Sequence, residues 1–164
     1  MVLSDEPLAF ESMECDLPVP PAVAWAYVVD VEKKVRWQQG LDGMTMTGLT
    51  SGRLAPGATQ HCAHGKETTL HDIVDWRPFD YVTWHIRLPL GTVVRQMAEF
   101  TPLENGGTHL SLRCANPEGG NPVTGALVRA ITQLAKAKKL VSEQCASKIA
   151  LERLVAEDIA APVA

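Results

Sequence analysis

The chain has 164 residues, 46% of them hydrophobic and 21% charged, with a formal net charge of -4 and a pI near 5.7. Such a length predicts one domain over residues 1–164, with room for a core and a pocket inside it. The acidic balance leaves no electrostatic footprint for nucleic acid or for an anionic membrane surface.

No apolar run approaches the roughly 20 residues that span a bilayer. The first residues carry Asp5, Glu6, Glu11 and Glu14 and lack the basic start of a signal peptide. Cys15, Cys62, Cys114 and Cys145 are spaced singly, which reads as free buried thiols. The expected compartment is the cytoplasm.

Phe10 to Val19 reads as a first strand, ended by prolines that cannot donate to a ladder. Pro21 then opens a short helix, Ala22 to Val29, and Asp30 is placed to cap a second, Val31 to Trp37, ended by Gly40 and Gly43. From Met44 to Ala115 only strand-length segments occur, near 44–51, 58–65, 67–76, 80–88, 92–101 and 108–115. Turn residues separate them at Pro56 and Gly57, Arg77 and Pro78, Pro89 to Gly91, and Asn105 to Gly107, which favours antiparallel neighbours. Val82, Trp84, Ile86 and Leu88 alternate with polar residues, as do Leu110, Leu112 and Cys114, so one sheet face is dry.

Asn116 to Gly120 reads as a loop. It leads into a long helix from Asn121 to about Glu157, with Asn121 as cap and Pro122 in the first helical position. At 100° per residue Val123, Leu127, Ile131, Leu134, Val141, Cys145 and Ile149 share a stripe expected to face a partner surface. Lys138 falls in the middle of it, and Leu151 and Leu154 depart from it, which predicts a bend or a contact with another chain.

Several features in this order carry a resemblance: Leu17 to Pro21 with Trp25 and Asp30, Trp37 before Gly40, Gly57 in a hairpin, Pro78 between strands, Phe100 to Leu103, and Gly107 with Thr108. Together they cover nearly the whole chain, which resembles the START-like, or SRPBCC, superfamily of polyketide cyclases, lipid-transfer domains and Bet v 1-type proteins. The resemblance implies an α+β helix-grip fold, in which a curved antiparallel sheet of about seven strands wraps a long C-terminal helix around a cavity for apolar molecules. His61 to Gly65 followed by Asp75 to Phe79 is also similar to START-like domains found beside bacterial adenylate cyclase domains. That second likeness implies a regulatory module linked to cyclic-nucleotide signalling.

The densest cluster of chemistry-bearing residues is His61, Cys62 and His64, with His71 one strand later. Strand parity sends Cys62 and His64 to one face and His61 to the other. The spacing matches no zinc signature, so neither a metal nor another cofactor is expected, although His71 or Asp72 would be placed to add a third ligand. A second reading is acid–base catalysis by His64 or His71 with Asp72 or Asp75, as a cyclase or dehydratase would need.

Asp75 to Tyr81 is read as structural, with Trp76 and Phe79 closing one end of the sheet and Arg77 pairing with Asp75 or Asp80. For a ligand, Trp84, Ile86 and Leu112 are expected on the cavity face of the sheet and Leu134, Lys138 and Val141 on the helix, with Trp84 as an aromatic platform. Lys138 is read either as a snorkelling side chain or as a cation that meets a ligand or pairs with Asp72 across the gap. Binding of a lipid, polyketide or aromatic molecule is favoured over catalysis. A homodimer or a regulatory protein partner is compatible with the pattern.

Overall fold

The computed structural model describes residues 13–48, 55–135 and 141–161. Strand β1 (Met13–Leu17) is followed by helices α1 (Pro21–Val29) and α2 (Val31–Trp37). Strands β2 (Gly43–Thr47), β3 (Thr59–His64), β4 (Glu67–Arg77), β5 (Tyr81–Arg87), β6 (Thr92–Pro102), β7 (Thr108–Cys114) and β8 (Glu118–Gly119) come next. Helices α3 (Pro122–Ala135) and α4 (Val141–Ala160) follow them. The sheet is antiparallel throughout in the order β1, β7, β6, β5, β4, β3, β2, and α4 packs on β1 and α2. This is the α+β helix-grip arrangement.

Local chemistry explains the element ends. The Asp30 carboxylate accepts from the backbone N–H of Glu32 at 2.9 Å and of Lys33 at 3.2 Å, satisfying orphan donors at the start of α2. Asn121 does the same for Val123 and Thr124 at the start of α3. The segment read as a loop after β7 pairs briefly, since Glu118 and Gly119 lie opposite Val93 and Thr92 of β6 as β8. There the backbone of β6 extends beyond β7 and would otherwise leave ladder groups unpaired.

Register settles which side chains face the helix. On the inner face Gln60 stands opposite His71, His71 opposite Ile86, Trp84 opposite Ile73 and Gln96, Gln96 opposite Cys114, and Leu112 opposite Met13. A bulge between Ile73 and Asp75 shifts the parity of β4, so both Ile73 and Trp76 reach the core. At that end Trp25 meets Trp76 at 5.7 Å, Phe100 at 5.3 Å and Phe79 at 6.0 Å between ring centroids. Arg77 pairs with Asp80, while Asp75 accepts from the Tyr81 hydroxyl.

The expected apolar stripe on the C-terminal helix is corrected. Val123 is 77% exposed, Leu127 51% and Ile149 66%, and Cys145 is exposed too, unlike the buried Cys15, Cys62 and Cys114. The buried face of α4 runs instead through Ser147, Leu151, Leu154 and Val155, so the two leucines that departed from the stripe are the ones in the core. Hydrogen bonds fix this rotation: Ser147 Oγ accepts from the backbone N–H of Gln39 at 3.0 Å, and Asp158 accepts from the Tyr27 hydroxyl at 2.7 Å. Ile131, Leu134, Lys138 and Val141 were placed on the same stripe. Lys138 lies outside the described residues, as do the side chains of Ile131, Leu134 and Val141.

Candidate functional site: the cavity between sheet and helix

A cavity of about 640 Å³ opens between the inner sheet face and the first turns of α4. Its sheet wall is largely apolar, with Met13, Ile86, Leu88, Val94 and Leu112, and Trp37 closes the α2 side. Polar groups enter at two places. At the helix side stand Gln38, Gln39, Glu143, Gln144 and Ser147, and along β3, β4 and β6 stand His64, Thr69, His71 and Gln96.

The two cavity histidines have different surroundings. His64 donates from Nδ1 to the Gly40 carbonyl at 2.6 Å, tying the end of β3 to the loop after α2. His71 is 5% exposed, with Nε2 lying 3.2 Å from the Thr69 hydroxyl and Nδ1 buried without a partner among the described residues. Burial, reinforced by the nearby Lys34 charge, pushes its pKa down to about 3. His71 is therefore a neutral hydrogen-bonding group at physiological pH.

Asp72 does not join them. Being next to His71 on a strand it points to the opposite, outer face, where it accepts from Thr59 at 2.7 Å and forms a two-pronged pair with Arg87 at 2.6 and 2.9 Å. This parity separates Asp72 from His71, so the two do not face each other as a catalytic pair; the expected Lys138–Asp72 bridge falls on Lys138, which lies outside the described residues. Asp75 also faces away, toward Tyr81. Cys62 and His64 share the inner face, whereas His61 turns outward to Thr47 at 2.8 Å, and no group of three metal-ligating side chains converges among the described residues.

Ile86 and Leu112 line the cavity. Trp84, expected as an open platform, is fully buried outside the cavity lining, because a side chain absent from the sequence reading covers it: the Lys34 ammonium lies 4.5 Å from its ring centroid. Lys34 is 2% exposed, and desolvation lowers its pKa to about 8. The signal was present in α2. Once Trp37 is taken as an inward anchor, the residue three before it, Lys34, shares its face of the helix.

A family model described as polyketide cyclase / dehydrase and lipid transport matches residues 12–155. The chain belongs to this family. Among solved structures it is similar to protein Ms6760 from Mycobacterium smegmatis, at 12% identity and TM-score 0.62, covering 90% of each chain. It is also similar to Ara h 8.0201, at 15% identity and TM-score 0.56, covering 90% of this chain and 97% of that one. DynU16, a putative protein in the dynemicin biosynthetic locus, aligns at 16% identity and TM-score 0.60 over 93% of this chain but 49% of its own length. No curated protein matches the sequence at a significant level.

Identities this low carry the fold of the polyketide cyclase / dehydrase and lipid transport family and leave the chemistry to the site itself. None of the helices among the described residues is long and apolar enough to cross a membrane.

Proposed function

We propose that this family member binds a small hydrophobic molecule, a lipid, polyketide or aromatic compound, between its sheet and α4, as a carrier or sensor. The observation that carries the reading is the cavity of about 640 Å³ whose wall combines Met13, Trp37, Ile86, Leu88, Val94 and Leu112 with a few polar groups, the composition of a small-molecule site. Membership of a family whose description includes lipid transport supports it.

The alternative of a cyclase or dehydratase needs an acid and a base facing each other in the cavity. Of the residues proposed for that work, His64 is engaged with Gly40, His71 is held neutral, Asp72 is on the other face and Asp75 is turned to Tyr81. Binding is the reading these positions favour.

Mass spectrometry of small molecules released from protein purified from its native host tests it. The expected result is an apolar compound in near-stoichiometric amount. A protein that is empty and also fails to bind a broad panel of lipids and aromatics refutes it.

A further inference from the structure

Lys34 stands in an unusual electrical environment. Among the described residues the titratable groups that act on it electrostatically are the Cys62 and Cys114 thiols and His71. Burial pushes the Cys62 thiol up and the Cys114 thiol up to about 11, so neither is a thiolate at neutral pH, and His71 is neutral. Its ammonium lies over the Trp84 ring, and no carboxylate pairs with it among the described residues. A buried ammonium without a counter-charge is costly, and proteins usually supply one.

The missing charge has a place to come from. Trp37, which shares the α2 face of Lys34, lines the cavity, and so do Gln38 just after the helix and His71, Gln96 and Cys114 on the sheet. Gln96 is the cross-strand neighbour of Trp84, and Gln96 Nε2 is already directed to Cys114 Sγ at 3.4 Å. The Lys34 ammonium therefore lies directly behind the wall that these residues form. On the cavity wall itself His71 Nδ1 is buried with no partner among the described residues, a polar atom that a purely apolar ligand leaves unsatisfied.

We propose that the ligand is an apolar molecule carrying a carboxylate, seated with its acid group toward His71, Gln96 and Cys114 so that Lys34 behind them supplies the counter-charge. In the tautomer in which Nε2 accepts from the Thr69 hydroxyl, His71 presents Nδ1–H as a donor for that carboxylate. Because Lys34 is itself buried, the attraction is weakly screened and acts over several ångströms without direct contact. The same arrangement discriminates against the neutral ester or alcohol of the same skeleton, which leaves Lys34 uncompensated. This inference rests on the cavity being a ligand site.

The test is calorimetric titration of full-length protein, stripped of small molecules, with two matched pairs: dodecanoic acid and its methyl ester, and 2-naphthoic acid and its methyl ester. At pH 7 each acid is expected to bind at least tenfold more tightly than its ester. In Lys34→Met that preference is expected to fall to within about twofold while ester affinity is retained. Equal binding of acid and ester by the wild type overturns the carboxylate proposal whether or not the variant folds, and leaves the binding reading standing. An acid preference that survives intact in a folded Lys34→Met protein also overturns it. Absence of binding by all four compounds, with none in the broader panel, removes the binding reading and this inference together.

Discussion

Replacing Lys34 by methionine should make the ligand-free protein more stable. Methionine is close in length and fills the same space over Trp84, but it has no charge to desolvate. In the folded protein the ammonium pKa falls from 10.5 to about 8, so the charged form is disfavoured there by about 3 kcal/mol relative to the unfolded chain. Below pH 8 the lysine is charged in both states and the whole penalty applies. Between about 8 and 10.5 the unfolded chain binds the proton and the folded protein does not, so wild-type stability climbs with pH. The group alone adds roughly 1.3 kcal/mol between pH 7 and 9.

The assay is urea denaturation of both proteins at the two pH values. Comparing them at each pH cancels the buried thiols, which titrate oppositely and lose stability as pH rises above their ordinary range. The variant is expected to lead by about 3 kcal/mol at pH 7, with the gap narrowing by about 1.3 kcal/mol at pH 9. A variant less stable than wild type at pH 7, or a gap that does not change, refutes the claim that Lys34 is a buried uncompensated cation.

Three further outcomes follow from the same structure. His71, whose pKa falls from 6.5 to about 3, contributes stability that is present above pH 6.5 and lost as pH drops through that window, so wild type should lose about 2 kcal/mol between pH 6.5 and 4.5 that His71→Leu does not lose in the same denaturation assay. Leu151→Ala should cost about 2 to 5 kcal/mol by thermal or chemical denaturation because Leu151 is fully buried, whereas Ile149→Ala, two positions away and 66% exposed, should change stability by less than about 0.5 kcal/mol. Asp72→Asn, which weakens the outer-face pair with Arg87, should cost about 1 kcal/mol and leave the affinity for dodecanoic acid unchanged in the calorimeter. Loss of binding would place Asp72 in the site.

Local signals in the sequence settled most of the architecture. Alternation along β5 and β7, proline and glycine punctuation between strands, and the caps at Asp30 and Asn121 depend on residues within a few positions of one another, and each element formed where those signals lay. The limit of such signals is β8, which exists because β6 runs past β7 and leaves ladder groups for Glu118 and Gly119 to meet.

The faces that build the site needed the tertiary structure. Parity alone separates His71 from Asp72, but only the pairing of Gln60 with His71 and of Trp84 with Gln96 shows which parity faces the helix. Rotation of α4 was undetermined for a related reason: periodicity offers two apolar stripes, and the choice of Leu151 and Leu154 over Cys145 and Ile149 comes from anchors more than 100 residues away in sequence, Gln39 on Ser147 and Tyr27 on Asp158. Lys34 is the sharpest case. Helical spacing places a cation on the Trp37 face of α2, but its burial over Trp84 and its lack of a counter-charge among the described residues depend on four strands and a helix meeting at one point, a property of packing that no single segment encodes.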